Sequence, residues 1–267
     1  MPSATTEHHP EGSHQPDAPA TRQVAVMPPR RALRIGAVAA VGGGTLALAG
    51  NILHPREPGQ LDDAESLLAV AARSDIWVID HLVILIAVTL LLLALYALSR
   101  SFTGEPARSW ARFAWAMAAV GGVFALALML AEATAMAALA DTWANGSGTE
   151  RDVALAAGSA IVELSLTLSV GGMLFLFGAA PLLFGLAMLN SDDYGPWLGW
   201  VGVLFGSLGV VTGVMQVLTR LATLTQFVLF PIAAVAITLW IVYLGVLMWR
   251  KSRHAGAETA GSGWGGV

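Results

Sequence analysis

Apolar residues come along this chain in six long blocks separated by short polar stretches. The clearest block spans 76–98. Asp80 and His81 stand near its start, and the seventeen residues from Leu82 to Leu98 carry no charge before Ser99 and Arg100. A helix needs roughly 20 predominantly apolar residues to cross the hydrocarbon core of a bilayer. The pattern therefore predicts spanning helices at about 32–53, 76–98, 110–139, 153–189, 197–218 and 227–249. The fourth block is longer than one crossing requires, which predicts tilt or projection from the membrane. Pro181 lies late in that block and predicts a kink there. Between the first two blocks, Leu61, Ala64, Leu67, Leu68 and Ala71 repeat at helical spacing, which predicts an interfacial amphipathic helix over about 61–73.

Composition agrees with the pattern. The chain has 267 residues, 56% hydrophobic and 12% charged, with a mean hydropathy of +0.68. Ordinary soluble domains carry about 25% charged residues. The fold class expected is an all-α polytopic transmembrane bundle of six spans in one domain, its partner the lipid bilayer. A net charge of −4 gives no footing for a nucleic-acid partner. With no cysteine, disulfides and thiolate chemistry are excluded. Residues 1–30, rich in Pro, His and Ser, and the Gly- and Ala-rich residues 252–267 are expected to be disordered tails. No secretory h-region occurs in the first of them.

The basic residues set an orientation. With the N-terminus in the cytoplasm, Arg22, Arg30, Arg31, Arg34, Arg100, Arg108, Arg112, Arg250, Lys251 and Arg253 lie inside, against Arg56, Arg73, Arg151 and Arg220 outside. Both termini are therefore expected in the cytoplasm of a cell carrying this protein in its plasma membrane. The turn holding Asp192 and Asp193 dissents, being acidic on the basic side.

In this topology the ionisable residues at membrane depth gather at the outer end. His54 closes the first span, Asp80 and His81 open the second, and Glu132 and Glu163 lie in the outer parts of the third and fourth. Gln216 and Arg220 end the fifth, and Gln226 begins the sixth. Small residues run in stripes toward this end. Gly199, Gly202, Gly206, Gly209 and Gly213 lead to Gln216, and Gly36, Ala40, Gly43, Ala47 and Gly50 lead to His54. Ala114, Ala118, Gly121 and Ala125 lead to Glu132, and Glu163, Thr167, Gly171, Gly178 and Gly185 are expected to share a face. Small residues let neighbouring helices approach closely, so these faces should be buried against protein. Charge inside a membrane is costly, about 2.5–3.5 kcal/mol per group on insertion scales, and tends to be paired or functional. The eight polar residues His54, Asp80, His81, Glu132, Glu163, Gln216, Arg220 and Gln226 are thus the candidate ligand-binding set. Arg220 is expected to pair with Glu132 or Glu163.

Most site chemistry finds no pattern here. The one lysine, Lys251, follows the last span, so no retinal linkage is expected. His54, His81, Glu132 and Glu163 have ligand-type side chains for a metal, but no local HxxxH or HExxH spacing supports them. No cofactor is expected.

Phe177-Gly178, Gly185, Ser191 and Trp197-Leu198-Gly199, together with Arg73-Ser74-Asp75, Leu239-Trp240 and Gly245, resemble the pattern of a bacterial six-span membrane family known only as a domain of unknown function. The resemblance covers about residues 32–250 and implies a six-helix bundle without an established activity. Two positions depart from it. Gly195-Pro196 stands where the family carries a basic residue, and Ala234 where it carries an acid. Three functional classes follow in order. The first is binding or translocation of a small ligand or cation through an outer polar pocket. The second is a structural or accessory subunit that meets a membrane partner or another copy of itself. The third is a membrane-embedded enzyme using Glu132, Glu163 and His81 on a lipophilic substrate.

Overall fold

The computed structural model describes residues 30–54, 63–219 and 228–254, and every regular element among them is helical. Six helices are long and apolar enough to cross a bilayer. They are α1 (Arg30–Leu53), α3 (Ser74–Ser99), α4 (Ala107–Asn145), α5 (Thr149–Leu189), α6 (Pro196–Thr219) and α7 (Phe230–His254). The short helix α2 (Asp63–Ala71) precedes α3, within the 61–73 segment where a helix was expected. The expected tails lie outside the described residues except at their inner edges, where Arg30 and Ser252–His254 continue the helices.

Glycine neighbours show how the helices meet. A side-chain carbon at Gly36 would run into Ala97, one at Gly43 into Leu90, and one at Gly50 into Ile84, so α1 and α3 are antiparallel. At Gly44 it would meet Val242, and at Gly245 it would meet Ala40, so α7 lies antiparallel on the other flank of α1. The Arg30 and His254 ends therefore share one end of the bundle, and His54 marks the opposite end. Each spanning helix packs on the next in sequence, and α7 returns to α1 to close the ring. Lipid tails are as apolar as the helices, so association relies on close packing rather than on the hydrophobic effect. The α6 stripe shows this most fully: Gly199, Gly206 and Gly209 abut the backbone of Gly185, Leu182 and Phe177 in α5.

Two helices leave the α repeat. Ala131–Met136 in α4 and Gly172–Ala179 in α5 are π-helical. The second lies directly before Pro181, which has no N–H to return to the carbonyl of Phe177, so the kink expected at Pro181 takes the form of a widened turn. An inserted residue rotates everything beyond it by about 100°. The stripe drawn through α5 fails before that turn is reached. Gly171, Gly178 and Gly185 are buried, whereas Glu163 and Thr167, in α-helical register with Gly171, are exposed; the buried face there runs through Gly158, Ser165 and Gly172.

The helices α4 and α5 have 39 and 41 residues. At 1.5 Å per residue they measure about 60 Å, roughly twice the hydrocarbon thickness. Their surplus projects at the His54 end, where α2 lies across them. Leu67 and Val70 of α2 pack there with Met136, Ala140, Trp143 and Ala154 in a second apolar core. The α4–α5 turn above it needs Gly148, whose φ of +54° lies in the left-handed region.

At the other end a clasp joins three separate segments. Asp193 Oδ2 accepts from the Thr103 N–H at 3.0 Å, the Thr103 hydroxyl at 3.1 Å and the Ser191 hydroxyl at 3.0 Å. Lys251 Nζ donates to Asp193 Oδ1 at 3.1 Å and sits 4.1 Å above the Tyr194 ring. The Tyr194 hydroxyl in turn meets the Ser101 hydroxyl. The acidic turn that dissents from the charge count is therefore the counter-charge of Lys251. Burial works against the Asp193 carboxylate, but the Thr103, Ser191 and Lys251 interactions outweigh it and hold Asp193 below its usual range.

Two outcomes follow. Gly43→Ala, whose new carbon would lie 2.8 Å from Leu90 Cβ, should cost about 1–3 kcal/mol in a reversible unfolding assay in detergent. Gly42→Ala, with only Leu90 Cδ1 at 4.0 Å, should be neutral. Asp193→Asn should cost about 1–3 kcal/mol at neutral pH. Because the folded carboxylate has the lower pKa, its contribution is present above the ordinary aspartate value of about 3.9 and is lost as pH falls through the folded value. The melting curves of wild type and variant should therefore converge only below about pH 4.

Candidate functional site

Trp77, Asp80 and His81 stand at i, i+3 and i+4 on α3 and so share one face. That face turns toward the end of α1, where His54 follows the last helical turn with its N–H on the Gly50 carbonyl at 2.7 Å. His54 Nδ1–H donates to Asp80 Oδ2 at 2.7 Å. The carboxylate is 3% exposed and the imidazole 35%. His81, 2% exposed, donates Nδ1–H to the carbonyl of Trp77 at 2.8 Å, which leaves its Nε2 lone pair uncommitted by that bond. The three rings pack mutually, with centroids 5.1 Å apart for His54 and His81, 5.4 Å for His54 and Trp77, and 4.5 Å for Trp77 and His81.

Trp77 also ties this face to the next helix. Its indole N–H donates at 2.9 Å to the carbonyl of Glu132, inside the widened stretch of α4. Glu132 is thereby level with the first turns of α3. Its half-buried carboxyl lies within electrostatic reach of Ser165 and His54, although the Ser165 hydroxyl makes no hydrogen bond of regular geometry.

One atom in the cluster stands out. Asp80 Oδ1 is buried and has no hydrogen-bond partner among the described residues. Most buried polar atoms are satisfied, and leaving one bare costs about 1–3 kcal/mol, so an orphaned carboxylate oxygen calls for an explanation. Gly50 keeps the space before it open: a side-chain carbon there would lie 3.5 Å from Oδ1. Beside it runs a crevice of 340 Å³ lined by Gly50, Leu53, Arg73, Ile76, Ile79, Asp80 and Val83.

The candidate residues divide accordingly. His54, Asp80 and His81 are brought together, and Glu132 stands next to them. Glu163 is exposed on the outward face of α5. Gln216 is partly buried and reaches Ser169 of α5 at 3.5 Å rather than the cluster. Arg220 and Gln226 lie outside the described residues, and the expected pairing of Arg220 with a glutamate lies there with them. Sequence reasoning missed Trp77, although its spacing from Asp80 and His81 was a usable signal. It also missed Ser165, although Gly158 and Gly172, both buried and each seven residues away, share its helical face.

Six membrane-length helices, with their ionisable groups drawn to the two ends of an apolar interior, define an integral membrane protein of the polytopic helical class. The chain matches no protein-family model, no curated protein and no solved structure.

The His54–Asp80 pair is open to a double-mutant cycle. Because His54 is more than a third exposed, solvent screening should hold the coupling between His54→Ala and Asp80→Ala to about 0.5–1 kcal/mol, read from unfolding in lipid or detergent. Additive losses would show that the two side chains do not pair.

Proposed function

We propose that this protein binds a small cation in the pocket at the His54 end of the bundle. We place that end at the outer face of the plasma membrane and both termini in the cytoplasm, as the distribution of basic residues supports. The observation that carries this reading is Asp80: a carboxylate almost wholly out of water, with one oxygen on His54 and the other bare beside an open crevice. A neutral donor could hydrogen-bond that oxygen but would leave the carboxylate's charge unmatched, whereas a cation meets both.

Binding is favoured over passage by what lies beneath. Along α3 the residues below the site are the buried Ala87, Leu91, Ala94, Leu95 and Leu98, packed with Ile237 and Leu244 of α7. Apart from the buried hydroxyls of Thr212 and Thr238, the described interior is apolar to the level of the Asp193 clasp, and an ion crossing it would shed its hydration with little to replace it. A second reading has its own support. The crevice walls Leu53, Ile76, Ile79 and Val83 are apolar, so a lipophilic substrate could lie against Asp80 in a membrane-embedded enzyme.

Thermal unfolding in nanodiscs tests the first reading, with potassium, magnesium, zinc, guanidinium and tetramethylammonium chlorides as probes. At least one cation should raise the melting temperature of the wild type, and Asp80→Asn should abolish that shift. If no probe shifts the wild type, or Asp80→Asn responds equally, the cation-binding reading fails.

A further inference from the structure

We infer that His54, Asp80 and His81 form a three-ligand site for a divalent transition-metal cation of the zinc class; this rests on the reading above and says which cation the pocket selects. Each of the three residues offers one ligand atom, and those atoms all lie within 4.8 Å of one another. Tetrahedral zinc, with bonds of about 2.0–2.1 Å, holds its ligand atoms about 3.3 Å apart. Closing that difference would call on torsion of the side chains, with His54 past the last turn of α1 at the partly exposed edge of the cluster.

The donor set decides the chemical class. Calcium takes six to eight oxygens, and magnesium prefers an octahedron of oxygens and water. Two imidazoles with one carboxylate instead suit zinc and its first-row neighbours, and the same set is common where three protein ligands leave a fourth position open. Here Asp80 lines the 340 Å³ crevice, so an open position would adjoin space that can hold water or a small ligand.

Two further features fit a built metal site. A ligating histidine almost always donates its other ring N–H to a carbonyl or carboxylate, which sets its tautomer and aims the free nitrogen at the metal. His81 does this through the Trp77 carbonyl, and Trp77 is itself fixed to Glu132 of α4. The second is the orphaned Asp80 Oδ1, a buried acceptor with no protein donor. Glutamates are not needed for this set: Glu163 faces away, and the ligand atoms that lie together are those of His54, Asp80 and His81.

The test uses the full-length protein in nanodiscs, purified without a histidine tag, stripped with chelator, and with His8, His9, His14 and His254 changed to Ala. Zinc alone and cobalt(II) alone are the probes. Wild type in this background should take up one equivalent, and cobalt(II) should show the intense visible absorption of a four-coordinate ion. His81→Ala and Asp80→Asn should each weaken binding by more than about tenfold. A positive signature guards against misfolding of those variants. The chain has no cysteine, so His54→Cys should add a sulfur-to-cobalt charge-transfer band that arises only if position 54 is a ligand. No zinc uptake by the wild type, uptake unchanged in His81→Ala and Asp80→Asn, or absence of that band in a cobalt-loaded His54→Cys protein would each overturn the inference. If zinc fails while another cation still gives an Asp80-dependent thermal shift, only the metal inference falls; if every probe fails, the cation pocket falls with it.

Discussion

A carboxylate withdrawn from water has to be matched, and much of the His54 end of this molecule can be understood from how Asp80 is matched. Its partner comes from another helix: His54 at the end of α1, held against α3 by the 2.7 Å bond. From that pairing the two helices stay close together to the opposite end. The small residues of α1 make this geometry available, since Gly36, Gly43 and Gly50 each admit a side chain of α3 where a larger residue would collide. Polar compensation at one end and glycine packing below it are thus two aspects of one arrangement. Neither a bulky α1 nor an unpaired Asp80 is compatible with it.

The two ends of the bundle treat charge differently. The Asp193 carboxylate is saturated by Thr103, Ser191 and Lys251, joining two turns to the last helix. Such a group holds structure and has little capacity left for a ligand. Asp80 keeps an oxygen in reserve. The contrast between the half-buried, satisfied carboxylate of Asp193 and the buried carboxylate of Asp80 with one oxygen bare separates the structural group from the functional candidate more sharply than the charge count does. The roof over the site reinforces this. The surplus length of α4 and α5, with α2 laid across it, adds an apolar core at the membrane edge, and Trp77 joins that core to the polar cluster beneath.

Much of this was legible in the residues. Block lengths predicted the six spans, and the glycine stripes of α1 and α6 predicted which faces are buried, because both follow directly from the α-helical repeat. The π-helical stretches were not legible. They change the phase without changing composition. Glu163 was misplaced for another reason: the buried face beside it runs through Gly158, Ser165 and Gly172, a seven-residue spacing that was passed over. Asp193 was read as an exception to a charge rule because that rule counts basic residues and cannot see a carboxylate neutralised by Lys251 from a distant helix. His54, Asp80 and His81 were found because membrane burial makes ionisable residues conspicuous. Their mutual contact was beyond the sequence, being a product of the α1–α3 packing.

The central claim is that His54 and His81 pack in one cluster, His54 held on the Asp80 carboxylate and His81 on the Trp77 carbonyl, rather than standing as separate imidazoles at the membrane surface. Nitrogen-15 NMR of the histidine-labelled protein in lipid, with signals assigned by single substitutions, tests it most directly. At neutral pH, without added metal, His81 should appear as a neutral ring protonated at Nδ1 with Nε2 bare, and the His54 Nδ1 signal should carry the shift of a proton shared with a carboxylate and lose it in Asp80→Asn. A His54 signal unchanged in Asp80→Asn, or His81 protonated at Nε2, would contradict the account.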